Sequence, residues 1–154
     1  MSNRLLPTRI DNDYQGHPIA LWFFAPITLL TVGRSLVHIF VPDGGAQSIA
    51  TIPLDRMTSG GAEGIVLLFA LWGLSQLLLG LLYVAVLIRY RALLPLMYLL
   101  FTVEYGGRFL IGRWKNIVTV ETPPGETANV VFPVLGLVML VLSLRFRPGR
   151  DDPS

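Results

Sequence analysis

Four side chains stand out because their chemistry is at odds with the stretches that carry them. Arg34, Glu104 and Arg108 are charged, His38 titrates near neutrality, and each lies inside an otherwise apolar run. A charge inside a membrane span costs about 2.5 to 3.5 kcal/mol on insertion scales, so such a residue marks either a tie between helices or a polar site. Their spacing is ordered. Arg34 and His38 are four residues apart, as are Glu104 and Arg108, and residues at that spacing share one face of a helix. If both helices run the same way, Arg34 lies about seven residues, or about 10 Å, below the end of its helix, with Glu104 at nearly the same depth. The spacing therefore predicts two tiers: an Arg34–Glu104 ion pair, with His38 and Arg108 one turn above it. Ser75 and Gln76 lie deep enough in the intervening segment to reach the floor of this cluster. Tyr105 points about 100° around the helix from Glu104 and is a weaker candidate.

Two guanidinium groups and one carboxylate leave about one uncompensated positive charge in a low-dielectric place. Asp43 or Asp55 from the following loop, or the carboxylate or phosphate of a bound lipid or small ligand, would supply the counter-charge. Arg34, His38, Gln76, Glu104 and Arg108 are thus the candidate ligand-binding residues. Two plainer roles compete: a buried pair can serve only to fix which helices pack, and Arg108 can snorkel to the headgroups. Glu104 and His38 would be the acid and base of an enzyme acting on a lipid-like substrate. No catalytic residue is assigned, however. The chain lacks a Gly-rich phosphate loop, His-Glu-x-x-His, Gly-x-Ser-x-Gly and Cys-x-x-Cys-His, which leaves nucleotide hydrolysis, zinc proteolysis, esterase chemistry and covalent haem without support. With no cysteine and only His17 and His38 as histidines, neither a metal site nor a cofactor is expected.

The elements that must position these groups follow from composition. Of 154 residues, 53% are hydrophobic and 14% charged, with a mean hydropathy of +0.60. A soluble domain carries roughly a quarter of its residues as charges, so this chain has too few to cover a water-soluble fold. A formal charge of +2 gives no reason to expect a nucleic-acid partner. Four segments approach the roughly 20 apolar residues that cross a bilayer as a helix: about 18–41, 63–88, 92–111 and 128–146. The expectation is one all-α domain, an integral membrane four-helix bundle. Outer loops would cover about 42–62 and 112–127; Pro42-Asp43-Gly44-Gly45 and Thr122-Pro123-Pro124-Gly125 supply their turns and fold them over the outer mouth. The first apolar run is too long for a signal-peptide core and reads as a retained span.

Orientation follows from basic residues near the span ends. With both termini in the cytoplasm, Arg4, Arg9, Arg89, Arg91, Arg145, Arg147 and Arg150 lie inside, against Arg56, Arg113 and Lys115 outside, seven against three. The short Arg89-Tyr90-Arg91 turn makes the second and third helices antiparallel neighbours. Trp22 and Tyr90 suit the inner interfacial belt and Trp114 the outer one. Gly73 and Gly80 mark a stripe for close helix approach, and Pro133 with Gly136 makes the fourth helix a packing wall. Helices one and two also form an out-and-back hairpin like helices three and four, a possible parallel duplication without residue identity to support it.

The Gly33 to His38 stretch (Gly-Arg-Ser-Leu-Val-His), the second helix with Gly73 and Gly80, and the following Arg89-Tyr90-Arg91-Ala92-Leu93 together resemble the DoxX-like group of small bacterial membrane proteins. The resemblance implies a four-helix bundle in a bacterial inner membrane, in a group that includes quinone-linked redox subunits. Glu104-Tyr105-Gly106-Gly107-Arg108 is not a signature of that group, so no functional residue is carried over. The expected function is an outer-facing polar pocket for a lipid- or quinone-like amphiphile. The alternatives are an accessory subunit of a larger membrane complex of respiratory or photosynthetic type, a homo-oligomer, or the acid–base enzyme above.

Overall fold

The computed structural model describes residues 2–115 and 117–145, and among these the chain is all-helical. A short α1 (Ser2–Leu5) precedes four long helices: α2 (Pro18–Phe40), α3 (Ser59–Ile88), α4 (Leu94–Trp114) and α5 (Pro124–Leu144). Single 3-10 turns occupy Leu54–Arg56 and Arg91–Leu93. Phe146, the expected end of the last span, and Arg147 and Arg150 of the orientation count lie outside the described residues.

Local chemistry sets the helix ends. At the start of α2, the His17 ring accepts from the Ile19 N–H at 3.3 Å while Pro18 has no N–H to leave unpaired. Helix α3 begins at Ser59 rather than at Glu63, because Thr58 Oγ1 accepts from the Gly61 N–H at 3.3 Å and caps the extra turn. Helix α5 begins at Pro124 rather than at Ala128; Pro124 fits a first turn, and Glu126 sits at the positive end of the helix dipole. Helix α4 starts later than expected, after Arg91–Leu93 has formed a 3-10 turn, and runs on to Trp114.

Three helices, α2, α3 and α5, are long and apolar enough to cross a membrane. The expected fourth, α4, is less apolar because it carries Glu104, Arg108 and Arg113 within its 21 residues. Yet α4 supplies much of the core: Leu94, Met97, Tyr98, Phe101 and Tyr105 are all buried. Polar residues on a helix of a bundle can be met by partners on the other helices, so the helix need not be apolar all round. In contrast, α3 leaves Leu67, Leu68, Leu71, Leu78 and Leu81 exposed.

The bundle is built from two hairpins, α2 against α3 and α4 against α5, with α2 also meeting α5. The small residues explain the pairing. A Cβ on Gly73 would lie 2.7 Å from the His38 Cβ, and one on Gly80 would lie 2.9 Å from Val32 Cγ2, so these two positions let α2 and α3 approach closely. Gly136 does the same between α5 and α4, where an added Cβ would meet Phe101 Cδ1 at 3.0 Å. The expected close neighbourhood of α3 and α4 is corrected: they are joined by a tight turn and antiparallel, but their backbones stay apart along most of their length. Long polar and aromatic side chains occupy the seam between them. Deeper in the bundle, Phe24 packs its ring 5.0 Å from Tyr83 and 5.4 Å from Tyr98, and the Tyr98 hydroxyl donates to the Ala20 carbonyl at 2.6 Å. Thr28, Thr31 and Ser35 each return their hydroxyl to the carbonyl four residues earlier, so they need no partner from another helix.

The ends are tied differently. At one end the N-terminal segment closes over the helices: Arg4 Nη1 donates to the Leu144 carbonyl at 3.3 Å, the Ala92 N–H to the Asp11 carbonyl at 3.2 Å, and the His17 N–H to the Leu142 carbonyl at 3.1 Å. At the other end the two long loops meet. The Val120 N–H donates to the Thr51 carbonyl at 2.9 Å and Thr51 Oγ1 to the Glu121 carbonyl at 2.7 Å. These bonds hold Thr51 at φ +54, a costly conformation for a β-branched residue.

Candidate functional site

Three helices contribute to the polar cluster: Arg34 from α2, Trp72 and Gln76 from α3, and Glu104, Tyr105 and Arg108 from α4. Gln76, 5% exposed, is its hub. The Gln76 carbonyl oxygen accepts from Arg34 Nη2 while its amide nitrogen donates to Glu104 Oε1. Arg34 Nη1 donates to the Tyr105 hydroxyl at 3.0 Å. Glu104 forms its ion pair with Arg108 Nη2.

The predicted Arg34–Glu104 ion pair is therefore corrected: the two groups communicate through Gln76. Close packing of α2 on α3 brings the Arg34 fork to Gln76 first. On α4, side chains tilt toward the helix N-terminus, which lays Arg108 back over the residue four before it. Tyr105 joins the cluster after all. Side-chain exposures of 17% for Arg108 and 20% for Glu104 keep this pair within reach of the surface.

Trp72 escaped the sequence reading. The Arg108 guanidinium carbon lies 4.6 Å from its ring centre and that of Arg34 lies 5.5 Å away, with the Tyr105 ring at 4.8 Å and 5.6 Å from the same two carbons. Both cations thus lie against the faces of two aromatic rings, which is attractive where water is scarce. The available signal was its spacing: Trp72 is one turn from Gln76 and on the same face.

His38 does not join Arg108 in an upper tier. A carbonyl can only accept, so Nδ1 carries the proton that it donates to the Gly44 carbonyl at 2.7 Å. The ring stacks on Trp72 at 4.7 Å and 27°, with Phe69 edge-on at 5.4 Å. His38 is thus a staple for the loop after α2, where Gly44 and Gly45 take φ values of +59 and +75 that favour glycine. Its Nε2, Arg34 Nε and the Tyr83 hydroxyl are buried without a hydrogen-bond partner.

Three more expectations are corrected. Ser75 is exposed and returns its hydroxyl to Leu71, so it does not reach the cluster. Asp43 does not fold down as a counter-charge; it accepts from the N–H groups of Gly45, Gln47 and Ser48 at 2.9, 3.1 and 2.6 Å. Burial pushes its carboxyl up, but those amide bonds outweigh this and hold it below the usual aspartate range. Asp55 is exposed. The excess positive charge of the cluster thus has neither of these two loop carboxylates as its partner among the described residues.

Two concavities lie elsewhere. One, of 340 Å³, sits under the N-terminal segment between Arg9, Tyr14, Ala92 and Ser143; the other, of 150 Å³, is an apolar hollow between Phe23, Leu30, Phe101 and Leu135. Among the described residues, no three His, Asp or Glu side chains gather as a metal would require. No protein-family model, curated protein or solved structure matches the chain.

Proposed function

We propose that this chain is an integral four-helix protein of a bacterial inner membrane that holds a lipid- or quinone-like amphiphile at the seam between α3 and α4. The observation that carries this reading is the seam itself. Two helices whose backbones stay apart are bridged by Gln76, Glu104, Arg108 and Trp72, with two guanidinium groups against one carboxylate. The α4 helix spans with the other three, its Glu104 and Arg108 turned to the polar cluster, and both termini face the cytoplasm. The fold plan is the one implied by the DoxX-like resemblance, without a redox role. An amphiphile suits such a seam because its headgroup meets the polar bridge while its chains lie along apolar helix faces.

A second reading has an observation in its favour. Most of the cluster's hydrogen bonds are made internally, as expected of a tie that only orders the helices within an accessory subunit. Native mass spectrometry on gently extracted protein, beside an Arg34→Leu/Glu104→Leu double variant, separates the two. The expected result is a stoichiometric small molecule on the parent that is lost from the still-helical variant. A parent that is empty and reproducibly attached to other subunits overturns the amphiphile reading in favour of the accessory subunit.

A further inference from the structure

Arg108 spends only part of its guanidinium group inside the protein. Nη2 pairs with Glu104, whereas Nε and Nη1 have no hydrogen-bond partner among the described residues, and neither is sealed from the surface as Arg34 Nε is. Their N–H groups point to different sides of the planar group, with Cδ between them, so each is a separate charge-assisted donor for one oxygen of an anion such as a phosphate. What lies above them matters as much. Side chains on a helix tilt toward its N-terminus, so the patch over Arg108 would be covered by the side chain one turn later. That position is Gly112, and an added Cβ there would meet nothing within 4 Å. No side chain of α4 at that position therefore covers Arg108. Arg113 and Lys115, close by in the chain, are both exposed.

From this geometry we infer that the amphiphile of the proposed function is an anionic phospholipid, whose phosphodiester accepts from an open N–H of Arg108 at the gap left by Gly112. The inference rests on the amphiphile reading and narrows it. Trp72 and Tyr105 hold the guanidinium plane in place, so little ordering remains to be done on binding. Glu104 is one turn deeper and already engaged by Arg108 and Gln76, which leaves the cluster positive toward an incoming anion. A neutral quinone would leave that charge unanswered, and a zwitterionic lipid would bring its own cation to a cluster that is already positive.

The test is binding to the full-length protein in defined nanodiscs, read by native mass spectrometry. Phosphatidylglycerol, phosphatidylcholine, ubiquinone and inorganic phosphate are offered separately and in competition. The parent is expected to retain phosphatidylglycerol at least ~10-fold better than phosphatidylcholine, the size of one charge-assisted hydrogen bond. Arg108→Gln should remove that preference. Gly112→Leu, placed where the structure is open, should weaken retention by a similar factor with every charge intact, which keeps the test decisive if Arg108→Gln loses its helical signal. Equal retention of both phospholipids, ubiquinone held in place of phosphatidylglycerol, or parent-like binding by Gly112→Leu overturns the inference while leaving the amphiphile reading standing. Inorganic phosphate binding as well without lipid overturns the assignment to a lipid. No amphiphile retained under any condition removes both.

Discussion

Gln76 illustrates how a neutral residue can govern the charged ones around it. Its amide offers one acceptor and one donor group, and the structure uses both, the acceptor for Arg34 and the donor for Glu104. Leucine at this position preserves shape but answers neither charge. Because removing one partner of a buried polar group leaves the other unsatisfied, Gln76→Leu is expected to destabilise the protein by about 1–3 kcal/mol. Ser75→Leu, one residue away on the exposed side, should change stability by less than about 0.5 kcal/mol. Denaturant unfolding of both variants in the same detergent, followed by helical circular dichroism, checks the contrast. Equal effects would mean that the hydrogen bonds of Gln76 are not what holds Arg34 and Glu104.

At the scale of elements, small residues decide which helices touch and long ones decide which do not. Gly73 faces the Cβ of His38 and the carbonyl of Ser35, neither of which can rotate away. Gly73→Ala must therefore push α2 from α3, at an expected cost of about 1–3 kcal/mol from overpacking. The same shift would drag His38 from Trp72 and slacken the loop that His38 holds through Gly44. Hydrogen exchange at the amides of Gly45, Gln47 and Ser48 should rise in this variant, while the α4–α5 hairpin keeps its protection. Loss of protection in both hairpins to the same degree would contradict the division of the bundle into two close-packed pairs.

For the molecule as a whole, three helices are long and apolar enough to cross a membrane, and the most polar long helix supplies much of the core. Both long loops close one end and the N-terminal segment closes the other. In the proposed orientation, drawn from the basic residues, the N-terminal end is the cytoplasmic one. A chain without cysteine makes this simple to check with single introduced thiols. Gln47→Cys is expected to react with a membrane-impermeant maleimide on spheroplasts, and Gln15→Cys only after permeabilisation. The reverse pattern would invert the orientation and move the phospholipid gap at Gly112 to the inner leaflet.

Much of this was legible along the chain, because the signals are local. Apolar runs long enough to cross a bilayer and the repeated four-residue spacing of Arg34/His38 and Glu104/Arg108 need no knowledge of distant contacts. Together they determined an all-helical fold and the helix faces that carry the polar residues. The pairings were beyond the sequence. Whether Arg34 meets Glu104 directly or through Gln76, and whether His38 faces Arg108 or staples a loop, turns on a few ångströms of helix separation and a few tens of degrees of rotation. Those are set by glycine contacts between residues as far apart in the chain as Gly73 and His38 or Gly136 and Phe101, and a short linking turn did not override them between α3 and α4. The sequence determined which residues turn polar faces inward; only the packing of the two hairpins decided which of them meet, because side-chain reach is comparable to the gap that packing leaves.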